Sequence, residues 1–432
     1  MTKKLSLRFT AIVFALTLST AAHAQICPGN AGCLDPTFGT GGIATFSLNP
    51  PGPGPYDMKA QADGKIVSIL GGNHLVRISS DGSLDPTFGS GGVATFVWAL
   101  TSGSTTYNGF GETIALQNVA GDERIVVAGS GHFLSGRKVV GGLRVGRFMP
   151  DGTVDASFGT NGSTVINTQG ASGVTVAPDG KILTLSNAGI ITRFTSSGSL
   201  DTSFGSGGSL DVSAGYTKEV FHSLVLGTDA AGRLLVCGDV TIGKGNSART
   251  VISVKRYSPA GIADTAFGTS GSARADFGGI SFAGQIATDA AGNIVVRAST
   301  TVAVSSSSRY FAAARFTSNG LIDTSFAGTG KVVFLGGANG TREGLLFQPD
   351  GKIVLTGRLN ENYALVRYNN DGTLDTGFGN GGSVIVDVDG QDLISAPAVL
   401  QTDPFCGCSK IVMSSAGAAS SANTSFARFT IQ

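Results

Sequence analysis

Charged residues make up only 14% of this 432-residue chain, so those that recur at fixed spacing are the first candidates for chemistry. Seven aspartates each stand three residues before a phenylalanine: Asp35, Asp85, Asp155, Asp201, Asp264, Asp323 and Asp375. Eight residues ahead of the last six is an arginine: Arg77, Arg147, Arg193, Arg256, Arg315 and Arg367. An acid and a base at constant separation could make seven ion or ligand sites, or one structural pair repeated seven times. A guanidinium donates in a planar fork to a carboxylate, and a residue present in every copy serves what every copy shares. The spacing therefore predicts structural pairs, with Arg428 near the chain end left for Asp35 near its start.

Other chemistry is sparse. His74, His132 and His222 stand in no His-Glu-x-x-His or Gly-x-Ser-x-Gly motif. The Pro-Asp-Gly turns lack the alternating acids and terminal Glu of a calcium loop. Cys406-Gly-Cys408 has the wrong spacing for a zinc knuckle. No metal and no cofactor is expected; a single Trp also fails to supply the repeated tryptophan docking of a quinone enzyme.

The elements that carry the pairs follow from the glycines, 65 in all. Gly stands five residues after each of the six arginines and four residues after each phenylalanine, giving Arg-x4-Gly-x2-Asp-x2-Phe-x3-Gly. Between these markers lie short alternating or continuous apolar runs that predict strands. From Ile322, the runs Lys331–Phe334, Gly344–Gln348, Ile353–Thr356 and Tyr363–Tyr368 predict one four-stranded antiparallel sheet, with Pro349-Asp-Gly-Lys352 as a tight turn. A lone sheet of this size cannot bury both faces, so copies must ring an axis or stack. The chain begins with Asp35-Pro-Thr-Phe38 lacking its Arg strand and ends with Phe426-Ala-Arg-Phe-Thr430 lacking its Asp-x-x-Phe. Each end supplies what the other lacks, as a closed ring requires. The expected fold is all-β, a seven-bladed propeller of four-stranded antiparallel blades closed by its N- and C-terminal segments. Its repeat units run 34–83, 84–153, 154–199, 200–262, 263–321, 322–373 and 374–432.

Residues 1–24 have the basic start, apolar run and Ala22-His23-Ala24 end of an export signal, so cleavage is expected before Gln25, leaving a linker at 25–32. Loss of Lys3, Lys4 and Arg8 turns the formal charge from +1 to −2. Without a basic stripe, nucleic-acid binding is not expected; neither is a membrane span, since the apolar run is shorter than the roughly 20 residues one needs. A secreted or periplasmic monomer is the expectation. Export permits disulfides. Cys237 sits in the apolar run Leu234–Gly238 and is expected as a buried thiol, whereas Cys27, Cys33, Cys406 and Cys408 lie at the chain ends. A bridge from Cys33 to Cys406 or Cys408 would staple the ring; a local Cys27–Cys33 pair is the rival.

Leu374-Asp-Thr-Gly-Phe-Gly-Asn-Gly-Gly382, Phe347-Gln-Pro-Asp-Gly-Lys-Ile-Val354 and Ala364-Leu-Val-Arg-Tyr-Asn-Asn-Asp-Gly372 resemble the delta-60 repeat family of secreted bacterial proteins. The resemblance covers nearly all of 33–432, departs in the long insertions of units two and four, and meets Ala327 where the glycine after Phe is usual. It implies a propeller-like β fold and export, and no reaction.

If repetition builds the scaffold, function belongs to what does not repeat. The extra length falls at Ser47–Tyr56, Val97–Gly111, Ser130–Gly142, Thr241–Thr250 and Thr300–Arg309, expected on one face. The best-equipped part holds Trp98, Tyr107, Phe110, His132, Arg137 and Lys138. The leading expectation is a non-catalytic module that binds protein or glycan there; the alternative is an extracellular hydrolase or lyase with an axial site.

Overall fold

The computed structural model describes residues 31–431 except 48–53, 72, 103, 214–220, 246–247, 302, 305, 307, 336–343, 360–361, 388–392, 403–407 and 417–422. Among the described residues the regular elements are strands, and these form seven antiparallel sheets. Blade one shows the plan: Pro55–Ala60 innermost, then Ile66–Leu70, His74–Ile78 and Val93–Thr95 outermost. The first strands of successive sheets meet around the axis, so the chain is a seven-bladed β-propeller. Among the described residues no helix is long and apolar enough to cross a membrane.

The ring closes across its ends. Ile43–Ser47 pairs antiparallel with Asn423–Thr430, from Ile43 opposite Ala427 to Ser47 opposite Asn423, and completes blade seven as its outermost strand. The phase of the blades differs from that expected of the repeat units. Lys331–Phe334 pairs with Tyr310–Phe316 of the preceding sheet, and Gly344–Phe347 opens the next one. A linear repeat may be cut at any point; only the hydrogen-bond ladder says which strand ends a blade. Blade two also departs from the four-stranded plan, because Trp98–Ser102 adds a fifth strand beside Thr105–Val119.

The core is a set of apolar layers between neighbouring blades, not one central mass. Leu235, Cys237, Ile252 and Val254 of blade four face Ile294, Val296, Ala312 and Phe316 of blade five. Cys237 is fully buried, as its apolar run predicts, and burial pushes its thiol pKa well up. Blade four ends its layer on the Phe267 ring, which is also fully buried.

Candidate functional site

Antiparallel alternation gives the ring two unlike faces. One carries the Asp-Gly turns between the first and second strands together with the Arg-to-Gly motif between the third and fourth. The other carries the second-to-third turns and the links between blades, which include all five stretches of extra length.

On the motif face every expected pair forms. The Arg Nε to Asp Oδ2 distance is 2.7 Å for Arg77–Asp85, 2.6 Å for Arg147–Asp155 and 2.9 Å for Arg193–Asp201. It is 2.9 Å for Arg256–Asp264 and 2.7 Å for both Arg315–Asp323 and Arg367–Asp375. Arg428 meets Asp35 at 2.9 Å across the junction of the chain ends. Each aspartate Oδ1 also accepts the backbone N–H two residues on, from Thr37 at 3.0 Å to Gly377 at 3.2 Å, which fixes the Asx turn.

The same arginines tie each blade to its neighbour. Nη1 of Arg147 donates to the Ser196 carbonyl and that of Arg367 to the Ile431 carbonyl, both at 2.6 Å. Arg77, Arg193, Arg256, Arg315 and Arg428 donate likewise to Pro150, Pro259, Ser318, Asn370 and Ser80. Each guanidinium lies 4.3 to 4.8 Å from the centroid of its own motif phenylalanine, from Arg367 over Phe378 to Arg147 over Phe158. The motif glycine five residues after Arg belongs to the same joint: a Cβ on Gly152 would stand 2.9 Å from the Phe88 ring of the preceding Arg-to-Phe motif. Ala327, where the family resemblance expects Gly, keeps the left-handed backbone (φ 52°), and its N–H still reaches the Asp371 carbonyl at 2.6 Å.

A second cation was not foreseen. Lysines of the Asp-Gly-Lys turns reach the same carboxylates: Lys65 to Asp85 at 3.0 Å, Lys181 to Asp201 at 3.1 Å and Lys352 to Asp375 at 2.9 Å. Lys410 reaches Asp35 at 2.5 Å, and Arg124 reaches Asp155. The signal was present in the recurrence of Lys after Asp-Gly at Lys65, Lys181 and Lys352. A polar cavity of about 220 Å³ at the junction, lined by Thr37, Gly64, Ser80, Asp81, Gln401, Lys410 and Arg428, is part of this joint.

These contacts set a pH dependence. Burial by itself would raise the Asp35 carboxyl, but hydrogen bonds from Lys410 and Thr37 and the charge of Arg428 prevail and hold it at about 2. Asp155 is likewise held at about 2, burial being outweighed by Ser157, Arg124 and Arg147. The other five motif aspartates are lowered too. A folded-state pKa below the ordinary value of 3.8 means that the ionised form stabilises the fold. That contribution is complete above pH 4 and is lost as pH falls from about 4 to about 2, up to about 2 kcal/mol for each of Asp35 and Asp155. Melting temperature should therefore drop steeply in this window; a flat profile down to pH 2.5 would contradict the pairing.

On the opposite face, blade two extends outward. Its innermost strand Thr105–Val119 pairs with Asp122–Ser135 only as far as Phe110 opposite Ser130, whereas Asp122–Ser135 and Lys138–Phe148 stay paired to Ser135 opposite Lys138. That hairpin overhangs the inner strand by five residues, against two in blade four and three in blade six. The first five residues of Thr105–Val119 form a second hairpin with Trp98–Ser102. The two meet where Tyr107 and His132 lie with ring centroids 5.6 Å apart. Gly109 allows the close approach: a Cβ there would stand 2.7 Å from the Ser130 carbonyl oxygen and 3.0 Å from Gly131 Cα.

The six residues expected to form a binding surface divide here. Phe110 is 45% exposed, Arg137 and Lys138 are exposed at the hairpin tip, and Tyr107 and His132 are half-buried at the meeting point. Trp98 is corrected: only 4% exposed, it packs on Phe96 with ring centroids 5.0 Å apart beneath the Arg144 guanidinium, and anchors the hairpin to the layer between blades one and two. In the sequence Phe96-Val-Trp98 is one apolar run; only the structure divides it into buried Phe96, exposed Val97 and buried Trp98. Val97 and Leu134, 76% and 51% exposed, join the surface instead.

At the axis, the register sets Ala60, Leu116, Val176, Thr228, Thr288, Phe347 and Leu400 at one level, each half-buried and none titratable. His74 bonds Thr95 through Nδ1 at 3.0 Å, while the His222 side chain lies outside the described residues. Among the described residues no group of three or more His, Cys, Asp or Glu could hold a metal ion. Cys33 is buried beside Thr430 and no bridge joins it to Cys408; Cys27, Cys406 and residues 1–24 lie outside the described residues.

Fold and repeated joint together define a seven-bladed propeller built from copies of one turn-to-phenylalanine module. Five such stretches, residues 61–88, 120–158, 177–204, 292–326 and 348–378, match the family described as "Domain of unknown function (DUF5122) beta-propeller", which supports a β-propeller repeat family. Similar solved structures include a protein of unknown function from Dyadobacter fermentans, 13% identical over 90% of this chain and 98% of that one, with a TM-score of 0.44. Another, titled "YCF48 bound to D1 peptide", is 12% identical over 90% and 96%, also at 0.44. No curated protein matches the chain.

Proposed function

We propose that the protein is a secreted delta-60-type repeat protein whose propeller is a non-catalytic scaffold, and that it binds a protein or glycan partner through the paired hairpins of blade two. The observation that carries this is the five-residue overhang of Asp122–Ser135 and Lys138–Phe148 beyond the inner strand. Two-stranded hairpins are marginal on their own in water, and these hold Phe110, Leu134 and Val97 out in solvent. The ring gains nothing from such exposure, whereas an interface core is built from apolar and aromatic side chains of this kind. On the motif face the recurrent charges are consumed in joints between blades, and the exposed Val154, Ile262 and Leu321 lie in its repeated turns, not on a projecting hairpin.

The test is a glycan-array and protein-partner screen with the full chain. It is repeated on a variant in which 99–108 and 132–141 are each replaced by Asn-Gly, a dipeptide suited to two-residue hairpins, while the Trp98 anchor is kept. Loss of the captured ligand is expected; ligand retained by the trimmed protein contradicts the reading. Export through leader 1–24 with cleavage before Gln25, and a disulfide of Cys408 with Cys27 or Cys406 in place of the expected bridge to Cys33, belong to the same proposal. N-terminal sequencing and non-reducing peptide mapping of protein from the culture medium or periplasm check both.

A further inference from the structure

We infer that the ligand of the blade-two hairpins is an extended acidic peptide segment of another protein, added as a strand along the outer edge of Lys138–Gly142; the inference rests on the binding role proposed above for these hairpins. Three independent observations meet at this edge.

The first is backbone geometry. Ser135 and Lys138 flank a two-residue turn, Gly136-Arg137, and so form a bonded pair of the ladder. The bonded pairs then alternate, through Phe133 with Val140 to Gly131 with Gly142. The N–H and C=O groups of Val139 and Gly141 therefore point away from the hairpin. The outermost strand of the blade, Ser163–Ile166, reaches only Leu143, so among the described residues nothing pairs with Val139 or Gly141. A Cβ on Gly141 would meet nothing within 4 Å. A free edge of this kind templates another strand unless it is blocked, and it demands an extended backbone, which a glycan or a lipid headgroup does not have.

The second is charge. His132 to Arg144 contains Arg137, Lys138 and Arg144 and no acid, and Val97 to Gly111 contains no charge at all. Arg144 is occupied by Ser163 Oγ at 3.0 Å and by the Trp98 ring. Arg137 and Lys138 stand exposed with no acidic partner among the described residues, unlike the motif cations. Complementary charge steers encounter and selects partners, so the segment is acidic. The third is the apolar flank: Leu134 is 51% exposed on the strand paired with Lys138–Phe148, and Phe110 45% exposed at the base. Aliphatic exposure fits the apolar side chains of a peptide better than the hydroxyl rim of a sugar.

The probes are fluorescein-labelled twelve-residue peptides alternating Glu with Val, Lys with Val, and Ser with Val, read by anisotropy at low and high salt against the intact protein. The Glu-Val peptide should bind, the Lys-Val peptide should not, and raised salt should weaken binding. Gly141→Pro removes an outward N–H without taking a ladder bond, and the R137E/K138E double variant reverses the charge; each should weaken binding at least tenfold. Unaltered binding in either variant, or no binding of the Glu-Val peptide, overturns the inference. Polygalacturonate or phosphatidylserine vesicles are the competing probes. If one of these binds, the Glu-Val peptide does not, and hairpin trimming abolishes the binding, the peptide inference falls while the hairpin site stands. Binding that survives trimming removes both.

Discussion

Arg428→Ala should cost about 3 kcal/mol or more and should release the closing strand first. The substitution leaves Asp35, whose side chain is 4% exposed, with Lys410 but without its arginine; breaking one partner of a buried pair typically costs about 3–5 kcal/mol, and the retained lysine sets the expectation at the low end. It also removes the donor to the Ser80 carbonyl of blade one, and the bond at 3.0 Å to Oε1 of Gln401, the blade-seven side chain whose amide donates to the Gly64 carbonyl of blade one. Elsewhere in the ring the third and fourth strands of a blade are joined by the chain, but here Ile43–Ser47 and the turn before it are held to Asn423–Thr430 by non-covalent contacts, the ladder, the backbone bonds of Gly32 to Gly42 and these side chains. Hydrogen exchange should therefore quicken selectively at Ile43–Ser47 in Arg428→Ala. Arg315→Ala, which breaks the same pair with Asp323 inside the chain, should lower the denaturation midpoint without that selective release. Equal exchange patterns would mean that the junction is no weaker than the other joints. The pairing can be isolated with Arg367→Ala, Asp375→Ala and the double variant: losses that simply add would deny the contact.

Phe267→Ala should destabilise by about 3–5 kcal/mol, the range for emptying a buried aromatic site. The ring is fully buried, lies 4.6 Å under the Arg256 guanidinium, and faces Gly320 of the next Arg-to-Phe motif, where a Cβ would stand 2.7 Å away. Truncation thus opens a cavity between two blades and strips the arginine of its aromatic platform. The converse change acts on the same joint from the other side. Gly320→Ala would crowd the Phe267 ring and force an L side chain onto a backbone at φ +82°, costing about 2 kcal/mol or more. Chemical denaturation of the two single variants measures both, and near-neutral values would show that the phenylalanine is not the plug between blades.

The repeated joint could be read from the sequence because it is local and periodic. Arg and Asp eight residues apart on either side of a glycine turn are placed to meet each other, and Arg428 with Asp35 followed by asking which copy was incomplete. What the spacing did not show was the far end of each arginine. The carbonyls of Pro150 or Asn370 sit 73 and 55 residues away from Arg77 and Arg315, and insertions of varying length hide that regularity. The blade phase was lost for a related reason: Lys331–Phe334 is nearer in sequence to Gly344–Phe347, which it precedes, than to Tyr310–Phe316, which it follows, and only its ladder with Tyr310–Phe316 decides. At the candidate site, the extra length of unit two was visible, but its form as two hairpins was not. Trp98 was misplaced because a lone large aromatic in an insertion suggests a contact residue, whereas here it is spent holding the insertion down over Phe96.

The account divides the molecule into a repeated joint that holds the ring and a non-repeated pair of hairpins that the ring does not need. Thermal melting of the hairpin-trimmed protein, with 99–108 and 132–141 each replaced by Asn-Gly, tests that division most directly. The trimmed protein should melt within about 3 °C of the parent, the effect of a small surface change on a large domain. A fall as large as that of Phe267→Ala would show that the hairpins are part of the scaffold and contradict the division.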